Sequence, residues 1–162
     1  LPISPSSMTT EALHGVNGNG AGIVVAGGDN GVLLRSANSG STWSATGGGG
    51  ATTFFAVTAT DASTFYAAGS NAVVLRSDDS GQTWKPTTAL GVVGNARSLW
   101  GNATDGIYVG ISNGTLWRSL DRGQTWSGVP TGGATNSWYG MWGTAGGAAY
   151  AVGAGGSVLR MQ

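Results

Sequence analysis

The stretch Leu75-Arg76-Ser77-Asp78-Asp79-Ser80-Gly81-Gln82-Thr83-Trp84 decides the fold, because the chain repeats it. Leu34-Arg35-Ser36-Ala37-Asn38-Ser39-Gly40-Ser41-Thr42-Trp43 precedes it by 41 residues, and Trp117-Arg118-Ser119-Leu120-Asp121-Arg122-Gly123-Gln124-Thr125-Trp126 follows it by 42. A fourth copy opens at Val158-Leu159-Arg160 and stops at Met161-Gln162. A period of this length marks a repeat architecture whose units bury their faces against one another.

The match runs upstream of each box. Gly22 to Asn30, Thr64 to Asn71, Gly106 to Asn113 and Ala148 to Gly155 alternate apolar residues and end in small polar turns. Still earlier, His14-Gly15-Val16, Phe55-Ala56-Val57, Arg97-Ser98-Leu99 and Tyr139-Gly140-Met141 correspond. Alternation broken by Gly, Asn and Asp reads as short strands and turns, and no stretch keeps a helical period. Each repeat holds four strands; in the second they fall near 54–59, 64–69, 72–77 and 83–88. Four strands per forty-odd residues is the arithmetic of a propeller blade. The predicted fold is all-β, a β-propeller of four-stranded antiparallel blades in one domain. The blades span about 11–46, 53–88, 96–130 and 138–162. The fourth repeat lacks a last strand. Leu1-Pro2-Ile3-Ser4-Pro5 aligns with Trp84-Lys85-Pro86-Thr87-Thr88, so residues 1–8 are expected to complete the last blade. Prolines suit an outermost strand, where an N–H can be spared.

The pattern Ser-x-Asp-x-Gly-x-Thr-Trp resembles the Asp-box, or BNR, repeat shared by sialidases, xyloglucanases, sortilin-type receptors and a photosystem II assembly factor. Its positions are Ser36, Asn38, Gly40 and Trp43; Ser77, Asp79, Gly81 and Trp84; and Ser119, Asp121, Gly123 and Trp126. A carboxylate in a tight turn accepts backbone N–H groups, glycine permits positive φ, and Trp packs as a plate. The boxes are therefore read as structural, with the first weakened by Asn38. The resemblance implies boxes on the face away from a ligand site. The strings Leu99-Trp100-Gly101 and Met141-Trp142-Gly143, each followed by a Tyr-containing strand, are also similar to blades of large secreted proteins of predatory soil bacteria.

Composition narrows the function. Seven basic and seven acidic residues cancel, and charged residues are 9% of the chain, against the usual quarter or so. No basic field for nucleic acid exists. No apolar run approaches the roughly 18 residues a membrane span needs. Cysteine is absent and His14 is the only histidine, so no metal or cofactor site is expected. An enzyme is not expected. Four of six arginines, Arg35, Arg76, Arg118 and Arg160, share one repeat position, and a ring position cannot converge into a sialidase triad. They are read as running along their strands to a box Asp or a carbonyl of the next blade. A glycosidase needs two carboxylates about 5–10 Å apart, and Glu11 with Asp29 is the only candidate pair on the side opposite the boxes.

A binding surface is more legible. His14, Phe55, Arg97 and Tyr139 begin the first strands, with Trp138 beside Tyr139 and with Trp100 and Trp142 three residues after Arg97 and Tyr139. Aromatic plates beside hydroxyl and amide donors suit a sugar, as in bacterial propeller lectins that this set resembles. The candidate ligand residues are Trp138, Tyr139, Trp142, Trp100, Arg97, His14 and Phe55. Two readings stand: a carbohydrate-binding module, or a scaffold for protein partners. Four blades form either a closed monomer or half of an eight-bladed ring made by two chains, unless the chain belongs to a longer propeller. The composition and Leu1 in place of Met fit an exported bacterial protein, secreted or at the cell surface.

Overall fold

A computed structural model describes residues 9–161. The elements are strands joined by turns, and they sort into four antiparallel sheets. The first sheet holds β1 (Leu13–Gly18), β2 (Val24–Gly28), β3 (Leu33–Ser36) and β4 (Ser44–Ala45) in sequential order. The second holds β5 (Phe54–Ala59), β6 (Phe65–Gly69), β7 (Val74–Ser77) and β8 (Lys85–Pro86). The third holds β9 (Ala96–Asn102), β10 (Gly106–Ile111), β11 (Leu116–Ser119) and β12 (Ser127–Val129). The fourth has three strands, β13 (Trp138–Gly143), β14 (Ala149–Gly153) and β15 (Val158–Met161). Residues 1–8, expected to supply its missing strand, lie outside the described residues.

The four meanders are blades. First strands pack on first strands, β1 on β5, β5 on β9 and β9 on β13, so blades converge at that inner edge. The outer strands β4 and β8 have only two residues each. They are shorter than the expected 83–88, because beyond Pro86 the chain leaves the ladder: Thr87 still donates to Val74, but Thr88 donates to the Gly123 carbonyl of the next blade.

The core lies between blades. Val25 and Leu33 of blade 1 pack on Phe54, Phe65 and Leu75 of blade 2. Tyr66 and Val74 of blade 2 pack on Leu99, Ile107 and Val109 of blade 3. Tyr108 and Leu116 of blade 3 pack on Trp138, Ala149 and Ala151 of blade 4. Each inner blade is therefore apolar on both faces, and the alternation along a strand sends successive side chains to opposite neighbours. Small residues let the inner edges approach. A methyl on Gly110 would come within 2.7 Å of Trp138 Cβ, and one on Gly27 within 2.9 Å of Phe54 Cβ.

Among the described residues no hydrogen bond joins blade 4 to blade 1. The described residues form an arc: first-strand packing runs from β1 through β5 and β9 to β13, with no comparable packing of β13 on β1. The outward faces of the two end blades carry exposed apolar side chains, including Leu13, Val16, Trp142, Val152 and Val158.

Candidate functional site along the inner rim

The two ends of each blade do different work. At one end sit the boxes. In the second, Ser77 Oγ accepts from the Gly81 amide at 2.8 Å and donates to Asp79. Asp79 accepts from the Gln82 and Thr83 amides and from the Thr83 hydroxyl. The third box repeats this with Ser119, Gly123, Asp121, Gln124 and Thr125. Burial pushes the Asp79 carboxyl up, but the Thr83, Ser77 and Gln82 hydrogen bonds outweigh it and hold it at about 2. The Asp121 carboxyl is also lowered to about 2, chiefly by Thr125. These values mark acceptors locked by donors. Asn38 takes the same place in the first box, accepting from the Thr42 amide and donating to the Thr42 hydroxyl. The box residues thus act on their own turns, and the tryptophans reach backwards: Trp84 Nε1 donates to Thr46 Oγ1 of blade 1 and Trp126 Nε1 to the Thr88 carbonyl of blade 2. Trp43, with no preceding blade in the arc, donates to its own Gly40 carbonyl.

The repeated arginines strap blades in the other direction. Arg35 Nε donates to the Ser80 carbonyl at 2.6 Å, and Arg76 donates to the Arg122 carbonyl at 2.9 Å. Arg76 also forks onto Asp78, the neighbour of the box aspartate rather than that aspartate itself. Arg118 turns inside its own blade to the Asp105 carbonyl.

At the opposite end each first strand carries a bulge. The register slips between Leu13 and Gly15, Phe54 and Ala56, Trp138 and Gly140, and where Ala96 and Ser98 face β10. The skipped residues are His14, Phe55, Arg97 and Tyr139. A bulge frees one residue from the ladder and re-aims its side chain, so four consecutive blades present four unlike side chains at one position. They form a row at the inner rim. His14 and Phe55 ring centroids are 5.9 Å apart at 41°, and the Arg97 guanidinium carbon lies 4.7 Å from the Phe55 centroid. Among the described residues the Arg97 side chain has no ion pair and no hydrogen bond; its partner is the ring face. Tyr139 extends the row and is 59% exposed.

Carboxylates close one end of the row. Asp29 Oδ1 is 2.9 Å from His14 Nε2, and Glu11 accepts from Asn30 Nδ2 at 2.9 Å. The His14 hydrogen bond, followed by one from Thr53, holds the Asp29 carboxyl below the usual carboxylate range.

The sequence-predicted ligand set therefore splits. His14, Phe55, Arg97 and Tyr139 stand at the rim. Trp138 does not: it is 2% exposed, wedged between blades 3 and 4, and its indole donates to the Gly114 carbonyl at 2.8 Å. Trp100 packs on Tyr108 at 5.7 Å and covers Gly143 of blade 4, so it too belongs to a blade interface. Trp142 is exposed but lies opposite Tyr150 in the β13–β14 ladder, on the outward face of blade 4. The proximity of these indoles to Arg97 and Tyr139 in sequence reflects strand alternation, not a shared pocket.

No protein-family model and no curated protein matches the chain. Solved structures do. YCF48 bound to D1 peptide superposes with a TM-score of 0.75 at 19% identity over 95% of this chain and 51% of that one. The computationally designed Ika4 protein gives 0.67 at 12%, over 94% and 92%. The GH74 xyloglucanase from Xanthomonas campestris gives 0.66 at 22%, over 93% and 29%. The chain thus spans about half the length of the YCF48 chain. These likenesses place the arc among β-propellers.

Proposed function

We propose that this protein is a non-catalytic binding module that holds an extended polypeptide along the inner rim. A carboxylate of the ligand pairs with Arg97, and flanking apolar side chains lie against Phe55 and Tyr139. The observation that carries this reading is the bulged row: an arginine stacked on the Phe55 face with no acidic partner among the described residues, the far side of that row being the His14 ring against Phe55. Such a guanidinium is pre-organised for a planar anion. Four blades present successive positions along a line, which suits a strand-like ligand better than a compact one. The peptide held by YCF48 supports the same ligand class.

Two features favour this over a sugar site. The indoles that would have formed sugar platforms are packed between blades or on a blade's outer face. The remaining rim rings are interrupted by a cation. Asp29 does not suit the part of a glycosidase acid, which needs a raised pKa, because its carboxyl is lowered and engaged by His14. An exported bacterial setting fits the low charge content and the absence of cysteine.

The test is fluorescence anisotropy with labelled ten-residue peptides that pair a free C-terminal carboxylate with aromatic or aliphatic neighbours. Binding that Arg97→Ala weakens at least about tenfold, with the melting temperature unchanged, supports the proposal. Binding of fucose, galactose, mannose or sialic acid at millimolar concentration, lost with Tyr139→Ala, would favour the glycan reading. Silence in both assays would sink the rim as a site.

A further inference from the structure

We propose that the outward face of blade 4 docks on the outward face of blade 1 of a second copy, so that two chains close head to tail into an eight-bladed ring with two identical interfaces. The occupant follows from the repeats themselves. Each exposed end face is the counterpart of faces the chain already buries three times.

On blade 4, Trp142, Tyr150, Val158 and Arg160 stand 42 residues after Trp100, Tyr108, Leu116 and Arg118, which face the next blade in blade 3. All four are exposed, with Trp142 at 63% and Val158 at 70%. On blade 1, Leu13, Val16, Ala26, Leu34 and Trp43 stand 41 residues before Phe54, Val57, Ala67, Leu75 and Trp84, which receive the preceding blade in blade 2. They line an open groove of about 360 Å³. Val16 is 65% exposed, an unusual state for a residue whose counterpart Val57 is core. Two complementary apolar faces at the ends of one arc mark an interface, and a heterologous contact that closes gives a ring.

The internal interfaces specify the contacts. Arg35 and Arg76 each reach a carbonyl in the next box, at Ser80 and Arg122. The counterpart acceptor for Arg160 is the Ser39 carbonyl of the second copy; within its own copy Arg160 has no side-chain hydrogen bond among the described residues. Trp100 covers Gly143, with its ring edge 2.6 Å from where a Cβ would sit. Trp142 then covers Gly18, the residue at the same repeat position in blade 1. Where Gly27 meets Phe54 and Gly110 meets Trp138, Val152 meets Leu13: two middling side chains replace a glycine and a large ring. The interface carries no like-charge pair, since Arg160 is its only formal charge among the residues named.

The inference is independent of the rim proposal, and its readouts are mass and covalent linkage rather than ligand binding. Light scattering on the 162-residue chain should give twice 16.1 kDa. Because the chain has no cysteine, Leu13→Cys with Val152→Cys places the only two thiols at opposite ends of the arc. They should oxidise to a doubly linked dimer on a non-reducing gel, as disulfide geometry demands Cβ atoms about 4 Å apart. Arg160→Glu, at an exposed position, should leave the circular dichroism of the monomer intact and raise the dimer dissociation constant at least about tenfold. A monomeric mass at tens of micromolar with no crosslink would overturn the proposal and leave further blades in another polypeptide segment as the occupant. A ladder of larger masses would overturn it in favour of an open polymer.

Discussion

Asn38 shows how much a single atom matters in these turns. In the second and third boxes a carboxylate accepts from two amides and two hydroxyls. In the first, Asn38 Oδ1 accepts from one amide and one hydroxyl, and the Ser41 amide is left to the Asn38 carbonyl at 3.2 Å. Charged acceptors make the stronger bonds. Asn38→Asp should therefore stabilise the chain by about 1 kcal/mol at pH 7, read as a higher denaturation midpoint. The pH sign follows from the lowered carboxyls. Asp79 and Asp121 sit at about 2, below the ordinary 3.8, so their contribution is complete above about pH 5 and drains away as pH falls toward 2. Melting temperatures should hold level down to about pH 5 and then drop. In the Asp79→Asn, Asp121→Asn double variant the midpoint at pH 7 is lower and that acid-side drop is shallower. A drop of unchanged steepness in the double variant would show that other carboxyls govern acid unfolding.

The same scale explains the small residues of the inner edge. Gly110 faces Trp138 and Ser98, with a methyl there only 2.3 Å from the Ser98 hydroxyl. Gly110→Val should cost about 1–3 kcal/mol by overpacking, although valine is the residue found at the equivalent position 152. Trp138→Ala removes the opposing plate and should cost about 3–5 kcal/mol. Urea unfolding measures both. If Gly110→Val proved neutral, the blade 3–4 interface would be looser than its geometry indicates.

At the scale of the element, the first strand of each blade holds the information that sequence reading could and could not recover. The boxes, the period and the three strands of blade 4 were legible because they rest on local chemistry: turn-forming residues, alternation, and a Trp at a constant offset. Blade 2 shows the limits. Its first strand runs over Phe54–Ala59 as the alternation indicates, while its fourth shrinks to Lys85–Pro86 because Thr88 is claimed by the next blade. A partner as distant in sequence as Gly123 is from Thr88 leaves no mark in a local pattern. The rim is half legible for the same reason. His14, Phe55, Arg97 and Tyr139 were found by repeat position alone. The indoles were grouped with them through spacing, and a bulge between the first and third residues of the strand undoes that spacing. What could have found the bulge is the odd chemistry at one column of the repeat, where His, Phe, Arg and Tyr replace one another. Removing the extra residue is the direct test at this scale. Deleting Phe55 should force Phe54 or Ala56 out of register and unfold blade 2, since a one-residue slip turns every side chain to the other face. Phe55→Ala keeps the count and should leave the melting temperature within a few degrees. A deletion variant as stable as the substitution would mean that the bulge is not a fixed feature of the strand.

At the scale of the molecule, stability is distributed along the arc. Blades 2 and 3 are buried on both faces, whereas blades 1 and 4 have one neighbour each. Repeat arrays lose structure from units that lack a partner. Hydrogen exchange on the dilute chain should therefore be slowest in β6 and β10 and fastest in β1 and β15. Protection of β1 and β14 should rise with protein concentration if a second copy covers them. Uniform protection along the arc at every concentration would contradict the two-ended architecture.

The bulged position carries one more consequence. Because the bulge takes its residue out of the ladder, His14, Phe55 and Arg97 meet one another and Asp29, while the boxes and arginine straps are built from other residues. The rim can be rewritten, one letter per blade, while the boxes and arginine straps stay constant. A library randomised only at positions 14, 55, 97 and 139 would change what the molecule recognises and keep how it folds, which makes the arc a natural chassis for selecting new specificities.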